Sequence, residues 1–482
     1  MRSTENKLFN VVKLFSLKQI NEFKKFIASP VYTKGRNYLP FLKEILQIIK
    51  KNEEFYSPKE LYNKIYPEKE FSAQTLKNRF SEMFRLCEEF IVYYNLNSSS
   101  FEKEKFLLKF YLDKKQYRLF ENKFQRTRKD LLNSLDNENK FRNLAYLNLM
   151  NISLLNKKNK KGKMYDQYYE SSAFFICSNL IELFQFGIEY KTQEYDNVVR
   201  EFNIVLNILD SMNIEDIINK FKKSGEMINK VVCMYYFLYK AYENPEEEHN
   251  YYESRKLFSE IMNFFGDESK NEFYKSMISY CIMRQNAGIK KFQYELFDLY
   301  NEKLDQGLYH EFRLKMYPIN QFRDYVFIGI EINKFEWVEN FINKYSKELP
   351  LDIQNDEVNL SFAKLYYKER HFNKALQNLN QIRGNNYIHY LDSSVIKLII
   401  YYEMEKIEDS YLEIDKLRHY IRNHKEIPII HKEPIINFLK IYQKLLKLKS
   451  RPYDEYSGYL SNIINSVKRI ARKEWLLEKV LE

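Results

Sequence analysis

Seven histidines are the residues of this chain best suited to metal or acid–base chemistry: His249, His310, His371, His389, His419, His424 and His431. His419 and His424 stand five residues apart. A helix brings together positions three or four apart, so this pair does not share a face as metal ligands would. The histidines therefore read as surface residues. The four cysteines, Cys87, Cys177, Cys233 and Cys281, lie far apart, each inside an apolar helical run, and no C-x-x-C occurs. Neither a zinc ribbon nor a disulfide framework is indicated, and reduced, buried thiols fit a cytoplasmic protein. Glu246-Glu247-Glu248 follows Pro245 and reads as a solvated turn rather than an acid/base pair. The phosphate-binding G-x-x-x-x-G-K-[ST], the dinucleotide-binding G-x-G-x-x-G, the nucleophile elbow G-x-S-x-G and the zinc-binding H-E-x-x-H are all absent. The expectation is a non-enzymatic protein with no metal and no cofactor.

The elements that would position any site are helices. Of 482 residues, 45% are apolar, enough for a sizeable core, and only 10 Gly and 10 Pro punctuate the length. Sandwiches, barrels and Gly-looped nucleotide folds need more turn residues than that. Aromatics reach 17%, with 41 Tyr and 37 Phe; a tyrosine suits half-buried helix interfaces because its ring packs while its hydroxyl reaches water. The formal charge of +11 admits a polyanionic partner, although lysine is common on any solvated helix. The opening MRSTENKLFNVVKLF interrupts its apolar residues with Asn10 and Lys13, too polar for a signal segment. The richest apolar window, Phe174 to Phe184, carries Asn179 and Glu182, so no membrane insertion is expected.

Periodicity divides the chain. Residues 1–100 read as an N-terminal helical domain, with Ser57-Pro58-Lys59-Glu60 as a capping box and Ser72 capping a long helix that frays at Asn97–Ser100. Residues 101–318 read as irregular helical hairpins, with NKKNKKGK at 156–163 as an exposed loop and helices near 194–210 and 308–315. From 319 to 434 a recurrence emerges: Phe335/Val338, Phe372/Ala375 and Ile407/Ser410 open successive helices at spacings of 37 and 35 residues. Residues 435–482 read as capping helices.

The stretch Val358–Ile382 carries a resemblance. Ala363, Tyr366, Phe372 and Ala375 stand where a tetratricopeptide (TPR) repeat wants a small residue, an aromatic, an aromatic and alanine; the early Trp and closing Pro of that pattern are missing. The resemblance implies an all-α fold: a right-handed, irregular TPR-like α-solenoid of antiparallel helix pairs behind the N-terminal domain. In such arrays the first helix of each pair lines a concave groove. By position this places Arg323 and Phe327, Lys364, Tyr367 and Lys368, and Ile399 and Tyr402 on that groove, suited to an acidic protein or peptide partner. The 57–94 segment resembles the central helices of the winged-helix domain in bacterial activators that also carry such arrays. That resemblance implies Gln74, Lys77, Asn78 and Arg85 on a recognition helix facing nucleic acid, yet no Gly-bearing wing follows. FKKFIASPVY, SPKELYNKIYP and EWLLEKV together resemble a family of uncharacterised bacterial helical-repeat proteins, which brings a layout and no activity.

Overall fold

A computed structural model of the chain describes residues 6–51, 55–98, 100–135, 139–195, 203–221, 226–310, 317–383, 386–450 and 454–481. Among the described residues there are 25 α-helices and no β-strand. The chain divides into two compact units, one built from 1–134 with 139–178 and the other from 135–138 with 179–482. At Asn97–Ser100, where the sequence suggests a boundary, one helix ends at Ser98 and the next begins at Ser100.

The first unit opens with α1 (Lys7–Lys13), α2 (Leu17–Ala28), α3 (Pro30–Thr33), α4 (Leu39–Lys50), α5 (Pro58–Ile65) and α6 (Ala73–Ser98). Their apolar stripes meet in a core that includes Phe9, Phe23, Phe41, Ile45, Met83 and Phe90, all buried. Each such side chain contributes roughly 1.5–3 kcal/mol on leaving water. Ser57 accepts from the Glu60 amide at 3.3 Å, so its half of the expected box is made. The reciprocal box belongs to Ser16 and Gln19 at the start of α2. Next come α7 (Ser100–Asp113), α8 (Tyr117–Asn133) and α9 (Lys140–Lys157), packed around Leu108, Phe120, Leu147 and Leu154. The expected loop at 156–163 shrinks to a short reversal at Asn159, φ 57°, because α9 runs to Lys157 and α10 (Lys161–Tyr195) opens at Lys161.

By length and composition α10 passes for a membrane span: an 18-residue window reaches mean hydropathy 1.3, with 44% of it buried inside the fold. The sequence reading expected no such window. Asn179 and Glu182 do not interrupt the helix, and core positions such as Phe174, Cys177, Leu180, Phe184 and Ile188 account for part of its apolar content.

In the second unit the helices are α11 (Ile204–Ser211), α12 (Ile214–Phe221), α13 (Glu226–Glu243), α14 (Glu248–Ile261), α15 (Asp267–Asn286) and α16 (Lys291–Asp305). Then follow α17 (Ile319–Glu331), α18 (Phe335–Tyr345), α19 (Gln354–Lys368), α20 (Phe372–Gln381), α21 (Tyr387–Glu403) and α22 (Ile407–Asn423). The chain closes with α23 (Ile429–Ser450), α24 (Asp454–Ser466) and α25 (Lys473–Leu481). The helix expected at 194–210 is α10 ending at Tyr195 and α11 beginning at Ile204, with 196–202 outside the described residues. The one expected at 308–315 falls largely on 311–316, also outside them, and 306–310 are turns and a bend.

One turn joins α17 to α18, α19 to α20 and α21 to α22. Asn333, Arg370 and Glu405 adopt the left-handed conformation, at φ 59°, 61° and 59°. In each case the next residue's amide returns to the carbonyl five residues back: Lys334 to Gly329, His371 to Tyr366 and Lys406 to Tyr401, all at 2.8 Å. This is the Schellman closure, which satisfies carbonyls left over at a helix end. The helices that follow open at Phe335, Phe372 and Ile407, and Val338, Ala375 and Ser410 three residues on are fully buried. The recurrence in the sequence is thus the recurrence of one turn and one close approach.

Candidate binding cavity

Between α17, α19, α21 and α25 lies a cavity of about 430 Å³. Arg323, Phe327, Lys364, Tyr367, Lys368 and Ile399, six of the seven residues placed on a groove by sequence, line it. Tyr402 does not: it is buried beneath Trp475, ring centroids 5.3 Å apart, with Lys449 over its other side at 4.6 Å. One face of α19 supplies much of the wall, since Glu357, Ser361, Lys364 and Lys368 recur at helical spacing and all border the cavity.

At the inner end sits a buried charge network. Arg323 on α17 forks onto Glu357 of α19, Nε at 3.0 and 2.9 Å from the two oxygens and the terminal nitrogen at 2.6 Å. The same carboxylate accepts from Nε2 of His389 on α21 at 2.8 Å. With that proton on Nε2, the 3.2 Å approach of Arg323 to His389 is one between two donors sharing an acceptor. Burial pushes the Glu357 carboxyl up, but the His389 hydrogen bond and the Arg323 fork and charge outweigh it and hold it below the usual range. His389 was read as a surface histidine; it is fully buried. One network thus ties three helices together, which no local spacing announces.

The remaining charges are less fully matched. Burial lowers the Lys364 ammonium below its ordinary range; Asp392 opposes this from 3.7 Å and the Arg472 charge reinforces it. Lys368 reaches Glu331 at 3.4 Å. From α25, Lys479 pairs with Glu403 at 3.2 Å, and the Trp475 indole donates to the same carboxylate at 2.9 Å. Arg370 and Arg472 border the cavity, are exposed, and have no ion-pair partner among the described residues. Phe327, Tyr367, Phe372 and Trp475 place rings among these charges. Sequence reading missed Glu357, Arg370, Arg472, Trp475 and Lys479 as lining residues. For Glu357 the signal was available, two turns back along the face of Lys364; for α25 nothing local tells where a terminal helix docks.

The acidic turn is solvated, Glu246 being 87% exposed, and it also carries ion pairs. Arg284 of α15, only 3% exposed, reaches Glu246 at 2.9 Å and Glu248 at 3.3 Å, so two of the three glutamates clamp α15 onto the α13–α14 turn.

On α6 the second candidate set is spread over the exposed face. Gln74 donates to Asn78 at 2.9 Å, Arg85 pairs with Glu89 at 3.5 Å, and Lys77 is exposed. Arg79 turns away from that face: it stacks 4.9 Å from the Tyr38 ring and pairs at 3.2 Å with Glu82, which also receives Arg36 and the Tyr38 hydroxyl. All four cysteines are reduced and buried. Among the described residues no cluster of His, Cys, Asp or Glu could hold a metal ion.

No protein-family model, curated protein or solved structure matches this chain.

Proposed function

We propose that the 319–482 region is a non-enzymatic binding module, a right-handed TPR-like stack whose cavity receives an acidic segment of a protein partner. The observation that carries this reading is how the charges of the lining pair, six cations standing against five acids that include the exposed Glu474 and Glu478. Glu357 has its oxygens engaged by Arg323 and His389 and is held ionised, which suits a brace rather than a proton donor. Arg370 and Arg472 at the border have no ion-pair partner among the described residues, and Lys364 is only loosely paired, 3.7 Å from Asp392. An incoming carboxylate gains charge-assisted hydrogen bonds from these groups beside aromatic anchors of the kind that interface centres favour. The reduced thiols accord with a cytoplasmic setting.

The test is affinity purification from native cells with wild type and Lys364→Glu/Lys368→Glu, followed by cross-linking and mass spectrometry. The expected result is a partner lost by the variant, whose cross-linked segment is acid-rich and maps to Lys364 or Lys368. Retention of every partner by a folded variant refutes the reading. Recovery of nucleic acid alone with the wild type counts against a protein partner; only duplex binding that Lys77→Glu/Arg85→Glu abolishes then assigns it to the α6 alternative, a regulator using Gln74, Lys77, Asn78 and Arg85.

A further inference from the structure

The first half of α10 presents a largely exposed aromatic face. Tyr165, Tyr168, Tyr169, Phe175 and Ile176 recur at helical spacing and are between 47% and 68% exposed. The opposite side of the same turns is tied inward. Ser171 donates to the Ala145 carbonyl at 2.9 Å, Asn151 donates to Gln167 at 2.6 Å, and Glu170 is neutralised by Arg128 at 2.5 Å. Which face points outward is therefore fixed by packing within this unit. Immediately before the aromatics come Lys157, Lys160, Lys161 and Lys163, all exposed, and none has an ion-pair partner among the described residues. Asp166 is the one acid of this stretch left exposed without such a partner.

We infer that this surface binds single-stranded nucleic acid, the lysines meeting phosphates and the tyrosines stacking on bases. Four unneutralised cations call for a polyanion, and the whole chain carries +11. Flat rings beside such a cluster are the combination that holds an unpaired strand without reading its sequence, since every base has a π-face. A duplex hides those faces. An anionic lipid surface would also meet the lysines, but three of the five exposed rings and aliphatics carry hydroxyls, Asp166 lies among them, and the cations gather at one end rather than around an apolar face. A strand crossing the helix, its backbone over the lysine end and its bases reaching toward the rings, matches that arrangement.

The experiment is fluorescence anisotropy of the full chain with a labelled oligothymidylate and a labelled duplex of equal length, over a salt series. Two variants accompany it, Lys160→Glu/Lys161→Glu and Tyr168→Ala/Tyr169→Ala, with Lys77→Glu/Arg85→Glu as a comparison on α6. All substitutions are at exposed positions, and thermal melts confirm folding. Wild type should bind the single strand more tightly than the duplex, with a log–log salt slope reaching about −3 if all four lysines meet phosphates. Removing two lysines should flatten that slope by about 1.4. The tyrosine variant should weaken binding by about 5- to 100-fold and leave the slope unchanged. The α6 variant should bind as wild type does. Failure of the folded wild type to bind at 50 mM salt, equal binding by the tyrosine variant, or a preference for duplex each overturns the inference. So does co-sedimentation with phosphatidylserine vesicles that both α10 variants lose while the oligonucleotide stays unbound, because the surface then belongs to a membrane.

Discussion

Replacing Glu357 by glutamine separates charge from shape at the one carboxylate that three helices share. The side chain keeps its volume, so no cavity opens. What disappears is the negative charge under Arg323, whose side chain is 21% exposed, beside Glu357 and His389 at 1% and 0%. Removing one partner of a buried ion pair costs about 3–5 kcal/mol, chiefly because the other charge is stranded. Water reaching the exposed edge of Arg323 places the expected loss at the lower end, about 3 kcal/mol. The paired replacement Arg323→Met/Glu357→Leu removes both charges and should recover most of it, for the same reason. The pH dependence has a definite sign. Glu357 titrates below its unfolded value in the folded chain, so its contribution is present above the ordinary glutamate pKa of about 4.3 and is lost as pH falls through the lower folded value. The gap between wild type and Glu357→Gln should therefore be full at pH 7 and close in acid. Urea titrations at pH 7 of wild type, Glu357→Gln, Arg323→Met, Glu357→Leu and the paired variant, and of wild type and Glu357→Gln down to pH 3, provide the measurement. A loss below about 1 kcal/mol, the range of a surface pair, or single-variant losses that add in the double variant, would show that the network does not brace the fold.

Two further outcomes follow from backbone geometry. Lys115 closes α7 at φ 57°, returning through Gln116 to Tyr111 at 2.8 Å; glycine reaches that conformation freely, so Lys115→Gly should gain about 1 kcal/mol while Lys115→Ala gains nothing, and a lower denaturant midpoint for the glycine variant would contradict this. At Gly329 an added Cβ would meet Val338 Cγ2 at 2.5 Å; Gly329→Ala should cost about 1–3 kcal/mol from overpacking, less the roughly 1 kcal/mol that alanine gains in a helix, with Val338→Ala relieving the clash in a double-variant cycle.

Helical periodicity, scarce glycine and proline, and caps such as Ser57 and Ser72 were enough to read an all-helical chain, and the 37- and 35-residue recurrence located the helix openings at Phe335, Phe372 and Ile407. These features are local: each follows from spacing along one helix or one turn. The left-handed turn at the end of each first helix was readable only as a spacing, because asparagine, arginine and glutamate occupy it where glycine would have marked it. The lining residues on α17 and α19 were also accessible, since one face of one helix is a one-dimensional property. Tyr402 shows where that property stops: its face is set by Trp475, 73 residues further on, and a helix face exposed to a groove in one packing is buried in another. The same holds for His389, which looks like any polar residue until α17 and α19 bring Arg323 and Glu357 against it. Which charges converge, which are neutralised and which are left over depends on distances between helices, and only tertiary packing sets those.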